Sequence, residues 1–468
     1  MSYDLVIVGM GSGGLVAGEF AASLGLRVAA VERSRVGGDC LWTGCVPSKA
    51  LLASAKIAHH LRTADRFGIA AVEPDVDLAA VWRRIREIQR QIAETDDNPA
   101  RYEAMGIEVV RGEARLEGAK TVAIGGRVLE TRYILLCTGS RPATPSLPGL
   151  EEAGFLTSEN VFELESPPRS IVILGGGPIG VELAQGMNRL GIRVTLLQKG
   201  DRLLPRDEPE LAELLTSVLL EEGVDVRLAF EASRVERRGS LKAVESSKGE
   251  EGFEVDEILV ATGRTPTTDG LGLEKAGVAV GRRGIEVDGR MRTNVSSIYA
   301  VGDVAGRYHF THSAGHEGAM AVRDMFFPGK GKVSDLVPWT TFTDPELAHV
   351  GLTVAEARER HGTKEVAVER ADLSHSDRAR ADGTTSGRIV LITARDKLVG
   401  AHILAPGAGE LIHEPALAIR EGMKLRELAS LIHVYPTMTT SINLLAAEAA
   451  YRHAGRFGWL TRFARLAR

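Results

Sequence analysis

The sequence predicts an α/β protein in which one unit is used twice, followed by an α+β C-terminal third. Three observations predict it. A short apolar run, a G-x-G-x-x-G turn, a helix-compatible segment and a second apolar run follow one another at the N-terminus. The same order recurs from residue 171. After residue 340, short strand patterns alternate with helical ones.

In the first unit Leu5 to Val8 is the buried parallel strand. Gly9, Gly11 and Gly14 form G-M-G-S-G-G, Leu15 to Leu24 the helix, and Arg27 to Val31 the next strand, closed by Glu32. A glycine pattern alone says little. With strand before, helix after and an acid about 20 residues on, it reads as a Rossmann-like dinucleotide fold, not as an ordinary strand–turn–helix. The glycines let backbone approach a pyrophosphate at a helix N-terminus, and Glu32 is placed to bind ribose hydroxyls.

In the second unit Ile171 to Leu174 is the strand, Gly175, Gly177 and Gly180 form G-G-G-P-I-G, Val181 to Leu190 is the helix and Val194 to Leu197 the second strand. Two units imply two dinucleotides. Where an acid would grip the 2′-hydroxyl of NADH stands Gln198, with Lys199 and Arg202 close behind. Positive charge without the acid leans toward NADPH over NADH; the plain alternative is that both cations are solvated.

Composition narrows the function classes. The chain has 468 residues and room for two to four domains. Lys and Arg number 57 against 62 Asp and Glu, a net charge of −5, which argues against nucleic acid as a partner. No apolar run reaches the roughly 18 residues of a membrane span. The N-terminus has no basic leader, so a cytoplasmic location is expected, where a disulfide is usually catalytic or redox-sensing.

Two of the three cysteines fall in G-G-D-C-L-W-T-G-C-V-P-S-K, residues 37 to 49. The interval between Cys40 and Cys45, with no second pair elsewhere, does not suit a zinc site. A disulfide closing so short a loop would add little stability and would stay open to thiol exchange. Two buried cysteines without chemistry are the plain alternative. Lys49 follows on a helix entered at Pro47, and by itself reads as a solvated lysine.

This stretch resembles the redox-active motif of the flavin-dependent pyridine nucleotide–disulfide oxidoreductases, which include glutathione reductase, dihydrolipoamide dehydrogenase and mercuric reductase. The resemblance extends over nearly the whole chain. It implies FAD in the first fold and NADPH or NADH in the second. It also implies a redox disulfide Cys40–Cys45, with Cys45 the thiolate against the flavin and Cys40 the exchange thiol. Lys49 beside the flavin would pair with Glu182 of the second glycine motif. Residues 136 to 142, with Gly139, and 261 to 266, with Gly263, resemble the family's A-T-G turns between domains; Asp303, in I-Y-A-V-G-D, matches the aspartate that binds the ribityl chain. Cys137 reads as a core cysteine. The implied organisation is an FAD domain over 1–146 and 264–335, a nicotinamide-dinucleotide domain over 147–263 and a dimerisation domain over 336–468. Residues 51 to 100 read as helices, with Ile85, Ile88 and Ile92 on one packed face.

Departures from the family pattern bear on the acceptor. Pro178 stands where glutathione reductase has a gating tyrosine. In the dimer the partner normally contributes a histidine before Pro-Thr and a glutamate after it; here these positions hold Tyr435 and Thr440, with His433 two residues earlier. An unperturbed tyrosine, pKa ~10, is a poor base at pH 7. Mercuric reductases also carry a tyrosine here but end in a cysteine pair, and this chain has no cysteine after Cys137. His309, His312 and His316 invite a metal reading, but no supporting ligand pattern accompanies them; no metal site is expected, and they are placed near the flavin. The expected protein is a homodimeric FAD enzyme passing hydride from NAD(P)H to the disulfide and on to a small-molecule disulfide or metal acceptor. Alternatives are a quinone reductase with electrons leaving the flavin directly, and a non-catalytic redox sensor. The tail carries Arg452, Arg456, Arg462, Arg465 and Arg468, with Phe457, Leu460, Phe463 and Leu466 at helical spacing and Trp459 alongside, which suits either docking on the dimer or contact with an anionic membrane.

Overall fold

The computed structural model describes residues 2–247, 249, 252–327, 329 and 331–455. The first sheet carries five parallel strands in the order Ile107–Arg111, Val28–Glu32, Tyr3–Val8, Arg127–Leu136, Ile298–Ala300. The last of these returns from far along the chain. An antiparallel hairpin, Ala114–Gly118 and Thr121–Ile124, pairs with the outer half of Arg127–Leu136. The second sheet is wholly parallel: Asp225–Arg227, Arg193–Leu197, Ser170–Leu174, Glu257–Val260. The central strands of both sheets are buried along their length, as continuous apolar runs require when helices cover both faces.

The first helix begins earlier than its apolar pattern suggests, at Ser12, and takes in three glycines. Packing overrides their poor helix propensity. The helix lies against Thr311–Phe326, and small residues on both permit the close approach. Gly14 and Gly180, expected to bind cofactor, instead seat each helix on its own turn. A Cβ on Gly14 would stand 2.0 Å from the Gly9 carbonyl, and one on Gly180 1.9 Å from that of Gly175. The helix Leu78–Thr95 also turns its face from the expected one. Trp82, Ile85 and Gln89 are buried, while Ile88 and Ile92 are only half-buried. Gln89 explains the rotation: its amide donates to the carbonyls of Leu41 (3.0 Å) and Trp42 (2.8 Å), tying this helix to the cysteine loop.

The C-terminal third is an antiparallel five-stranded sheet in the order Trp339–Thr341, Glu346–Gly351, Lys397–Ala405, Arg388–Ala394, Val366–Asp372, with helices His413–Arg420 and Met438–Gly455 against it. One apolar cluster joins the helices that follow the cysteine loop to the second and C-terminal sheets, running from Leu51, Trp82 and Ile85 through Ile171 and Leu183 to Leu347 and Ile392. Among the described residues no helix is long and apolar enough to cross a membrane. Arg452 pairs with Glu369, and the rest of the basic tail, 456–468, lies outside the described residues.

Polar clamps reinforce the junction. Arg189, 5 % exposed, grips Glu222 through two nitrogens (2.6 and 2.7 Å) and Asp344 through a third (2.9 Å). Gln185 adds a bond in each direction with Asp344's backbone. Arg189→Met leaves Glu222 without its cation and Asp344 with only the more distant Lys56 (3.7 Å), and is expected to destabilise the fold by about 3 kcal/mol. A lowered thermal unfolding midpoint will show it, and Arg189→Lys will not restore the loss, because a lysine cannot reproduce the three-nitrogen grip.

Candidate active site

Both glycine turns open onto one cleft of about 1640 Å³, lined also by Cys40, Cys45, Lys49, Gly139, Gly263 and Asp303. The cysteine loop reaches it by close backbone packing: Gly38, at φ +58°, would place a Cβ 2.7 Å from the Gly11 Cα. Cys40 sits in the short helix Gly38–Trp42 and Cys45 begins the helix Cys45–Arg62. Cys45 is open to the cleft and Cys40 is half-buried.

The two thiols differ sharply. Cys45 is lowered from about 9 to about 6, first by the hydrogen bond it accepts from Cys40, then by Thr311, whose hydroxyl lies 3.4 Å from Sγ, and by Lys49. Cys40 is raised by that same bond to Cys45 and by burial. A thiolate at a helix N-terminus with a lysine one turn on suits the first role. Cys137, also at the cleft, is buried and its thiol is pushed up by that burial.

Lys49 Nζ meets Glu182 Oε2 at 2.7 Å, and the second oxygen of Glu182 accepts the Phe342 N–H at 2.9 Å. The Phe342 ring lies 4.2 Å from Nζ. Asp303 accepts from Ser140 and lies 3.5 Å from Arg264, which also pairs with Asp39 beside Cys40. Trp339 lines the same cleft; its indole donates to Asp207 (2.8 Å) and stacks on His349 at 3.5 Å. Burial raises the Asp207 carboxyl to about 6.

The two turns are built alike. Glu32 Oε2 accepts the Met10 N–H at 2.8 Å, and Gln198 Oε1 accepts the Gly176 N–H at 2.9 Å. A Cβ on Gly177 or Gly139 would meet no protein atom within 4 Å and would instead fill the cleft. Bare backbone at two helix N-termini, with polar clamps behind, fits two dinucleotides.

Other expected residues are placed differently. Lys199 lines the cleft but pairs with Glu231 at 2.5 Å, which offsets the charge expected to favour NADPH. Arg202 lies outside the cleft lining and donates to the Pro205 carbonyl. Pro178 begins its helix and lines the cleft. His309 and His312 line the cleft and His316 does not. Among the described residues no group of His, Cys, Asp and Glu could hold a metal ion. Tyr435 lies outside the protomer's own cleft, 66 % exposed. Thr311, Phe342 and Trp339 carry no spacing signal in the sequence, while Arg264 belongs to the A-T-G-R-x-P turn and gains its contacts with Asp303 and Asp39 only in the fold.

Comparison with known proteins follows the same lines. The family described as pyridine nucleotide-disulphide oxidoreductase matches residues 3–318, and its dimerisation domain matches residues 337–446. The chain belongs to this family. It is similar to a dihydrolipoyl dehydrogenase of Thermus scotoductus (37 % identical, covering 97 % of this chain and 98 % of the relative). A mercuric reductase of Streptomyces lividans is 37 % identical, with 95 % of each chain covered. The Cu(II) complex of the HOCl-induced flavoprotein disulfide reductase RclA from Escherichia coli superimposes with a TM-score of 0.85 at 28 % identity, covering 96 % of this chain and 99 % of that one. The protein is thus an FAD-dependent NAD(P)H oxidoreductase of the disulfide reductase family, and a homodimer.

The thiol asymmetry is directly measurable. In the reduced protein, ultraviolet thiolate absorbance is expected to rise with a midpoint near pH 6 and to lose that step in Cys45→Ser. Cys40→Ala removes the largest cause of the lowering and moves the midpoint upward.

Proposed function

We propose that this reductase delivers electrons from NAD(P)H through the Cys40/Cys45 dithiol to a thiophilic metal ion, Cu(II) or Hg(II), in preference to a large disulfide substrate. The observation that carries the reading is the pair of unlike thiols in one cleft with the dinucleotide turns. FAD held at the first glycine turn, with Glu32 and Asp303 beside it, would supply the hydride-accepting chemistry and the two electrons that open a Cys40–Cys45 disulfide. Cys45, first to lose its proton, is the flavin-side thiolate. Lys49, fixed by Glu182, holds positive charge one helical turn from it. Cys40 keeps its proton until the acceptor arrives and is the exchange thiol.

The metal preference rests on the acceptor side. A homodimer brings the partner subunit's Tyr435 to this side of the dithiol. Thr440 cannot serve as the orienting acid, since its hydroxyl donates to the Val434 carbonyl at 3.0 Å. His433 is turned inward onto Glu414 at 3.0 Å. Without a histidine base, exchange with glutathione or lipoamide lacks the family's usual proton carrier, whereas a thiophilic metal is bound by the sulfurs directly once Cys40 has given up its proton. The RclA structure with Cu(II) and the mercuric reductase relatives support the same acceptor class. The division into 1–146 with 264–335, 147–263 and 336–468 is proposed as the domain organisation.

Anaerobic titration of the holoenzyme with NADPH tests the relay. A long-wavelength thiolate-to-flavin band is expected in wild type only after two electrons, in Cys40→Ser already before any reductant is added, since its Cys45 has no disulfide partner, and at no stage in Cys45→Ser. Steady-state reduction of Cu(II) or Hg(II) should exceed that of lipoamide and fall to background in either cysteine variant; the reverse ranking of acceptors would overturn the metal reading. Dinucleotide choice should follow charge at the second turn. Glu231→Gln is expected to raise kcat/KM for NADPH over NADH, and Gln198→Glu to lower it, each by roughly 10-fold, the equivalent of one close charge interaction.

A further inference from the structure

Among the described residues the turn that carries Tyr435 is the most exposed apolar segment: Ile432 is 101 %, Val434 78 % and Tyr435 66 % exposed. Within it Tyr435 is nevertheless held. Its hydroxyl donates to Asp377 Oδ2 at 2.6 Å, across 58 residues of sequence. Asp377 opens the short helix Asp377–Ala381, and its other oxygen lies 3.7 Å from Arg380. One carboxylate oxygen is therefore steadied by its own helix and the second is left to the phenol. The two other groups that could have held the tyrosine are engaged elsewhere, Thr440 on Val434 and His433 on Glu414.

We propose that Asp377 is the positioning residue of the acceptor side, supplying to Tyr435 the orienting carboxylate that position 440 lacks. The inference rests on the reading that Tyr435 faces the partner subunit's dithiol. A phenol whose proton points at a carboxylate presents its oxygen lone pairs outward. Toward the partner subunit it is an acceptor, not a donor. Asp377 also raises the phenol's pKa, so the neutral form prevails at physiological pH. A neutral tyrosine is a weak base by itself, but it can relay. As the partner subunit's Cys40 gives its thiol proton to the Tyr435 oxygen, the phenol's original proton passes to Asp377 Oδ2. One S–H bond and one phenolic O–H bond break, one phenolic and one carboxylic O–H form, and no electrons change hands. The negative charge moves from the carboxylate to the sulfur that meets the acceptor. This replaces a histidine–glutamate pair from one turn by a tyrosine–aspartate pair drawn from two segments.

The test separates the two half-reactions of the holoenzyme by stopped flow. Flavin reduction by NADPH should be unchanged within about twofold in Tyr435→Phe and Asp377→Asn, since neither residue lines that part of the cleft in its own protomer. Reoxidation of the two-electron-reduced enzyme by oxidised lipoamide or by Cu(II) should slow by about 10- to 100-fold in each variant, the range for lost orientation or proton transfer. The double variant should be no slower than Tyr435→Phe alone, because Asp377 acts only through the tyrosine. Asp377→Glu should recover part of the rate. If Asp377→Asn reoxidises at the wild-type rate while Tyr435→Phe is slow, the role of Asp377 is overturned and the placement of Tyr435 stands. If the two losses multiply in the double variant, the residues act separately and the relay is wrong. If Tyr435→Phe is itself as fast as wild type, the placement of Tyr435 fails and the inference falls with it.

Discussion

A single buried carboxylate holds this molecule's working parts in register. Glu182 lies on the helix Pro178–Arg189, and its two oxygens reach two other segments, Lys49 behind the cysteine pair and the backbone of Phe342 at the start of the C-terminal sheet. Burying a charge is costly unless it is paired and hydrogen-bonded, and here both conditions are met. The same helix repeats the tactic at its other end, where Arg189 and Gln185 engage Asp344. Its N-terminus faces the second dinucleotide turn. The helix is therefore positioned by three partners at once, and a shift in any one would move the lysine that stands by the redox thiols.

That arrangement makes sense of the thiol electrostatics. A low thiol pKa at Cys45 needs donors and cations fixed within a few ångströms, and each comes from a different stretch: Cys40 from the loop, Thr311 from a late helix, Lys49 from the next turn. The first two meet because Gly38 lets the loop press on the glycine turn and because the first helix packs against Thr311–Phe326. Close packing of small residues thus acts on chemistry two steps removed from it.

Much of this was legible in the sequence, and the boundary has a physical cause. The two turns, Glu32, Gln198, the cysteine pair and the Lys49–Glu182 pairing sit in local patterns or in motifs shared with a known family. The local patterns work because a strand, a tight turn and a helix must follow each other within a few residues. Thr311, Phe342 and Asp377 were not visible, since each acts through a side-chain or backbone contact across at least 58 positions, and such contacts leave no periodic trace. A distant counter-charge is equally invisible in one dimension: Glu231, which pairs with Lys199, has no local relation to it in the sequence. Gly14 and Gly180 press on the carbonyls of Gly9 and Gly175, and a glycine needed for helix seating looks identical in one dimension to one needed for ligand approach.

The matched clamps of the two turns carry a broader implication. Glu32 and Gln198 each accept one backbone N–H of the turn they close, and one is an acid while the other is an amide. An amide oxygen and a carboxylate oxygen can both serve as that acceptor, the carboxylate more strongly. The shape of the turn is therefore set independently of the charge shown to the ligand. Such a division lets cofactor preference drift through single substitutions while the scaffold stays intact, so that lineages sharing this fold can retune to whichever electron carrier their metabolism keeps most reduced.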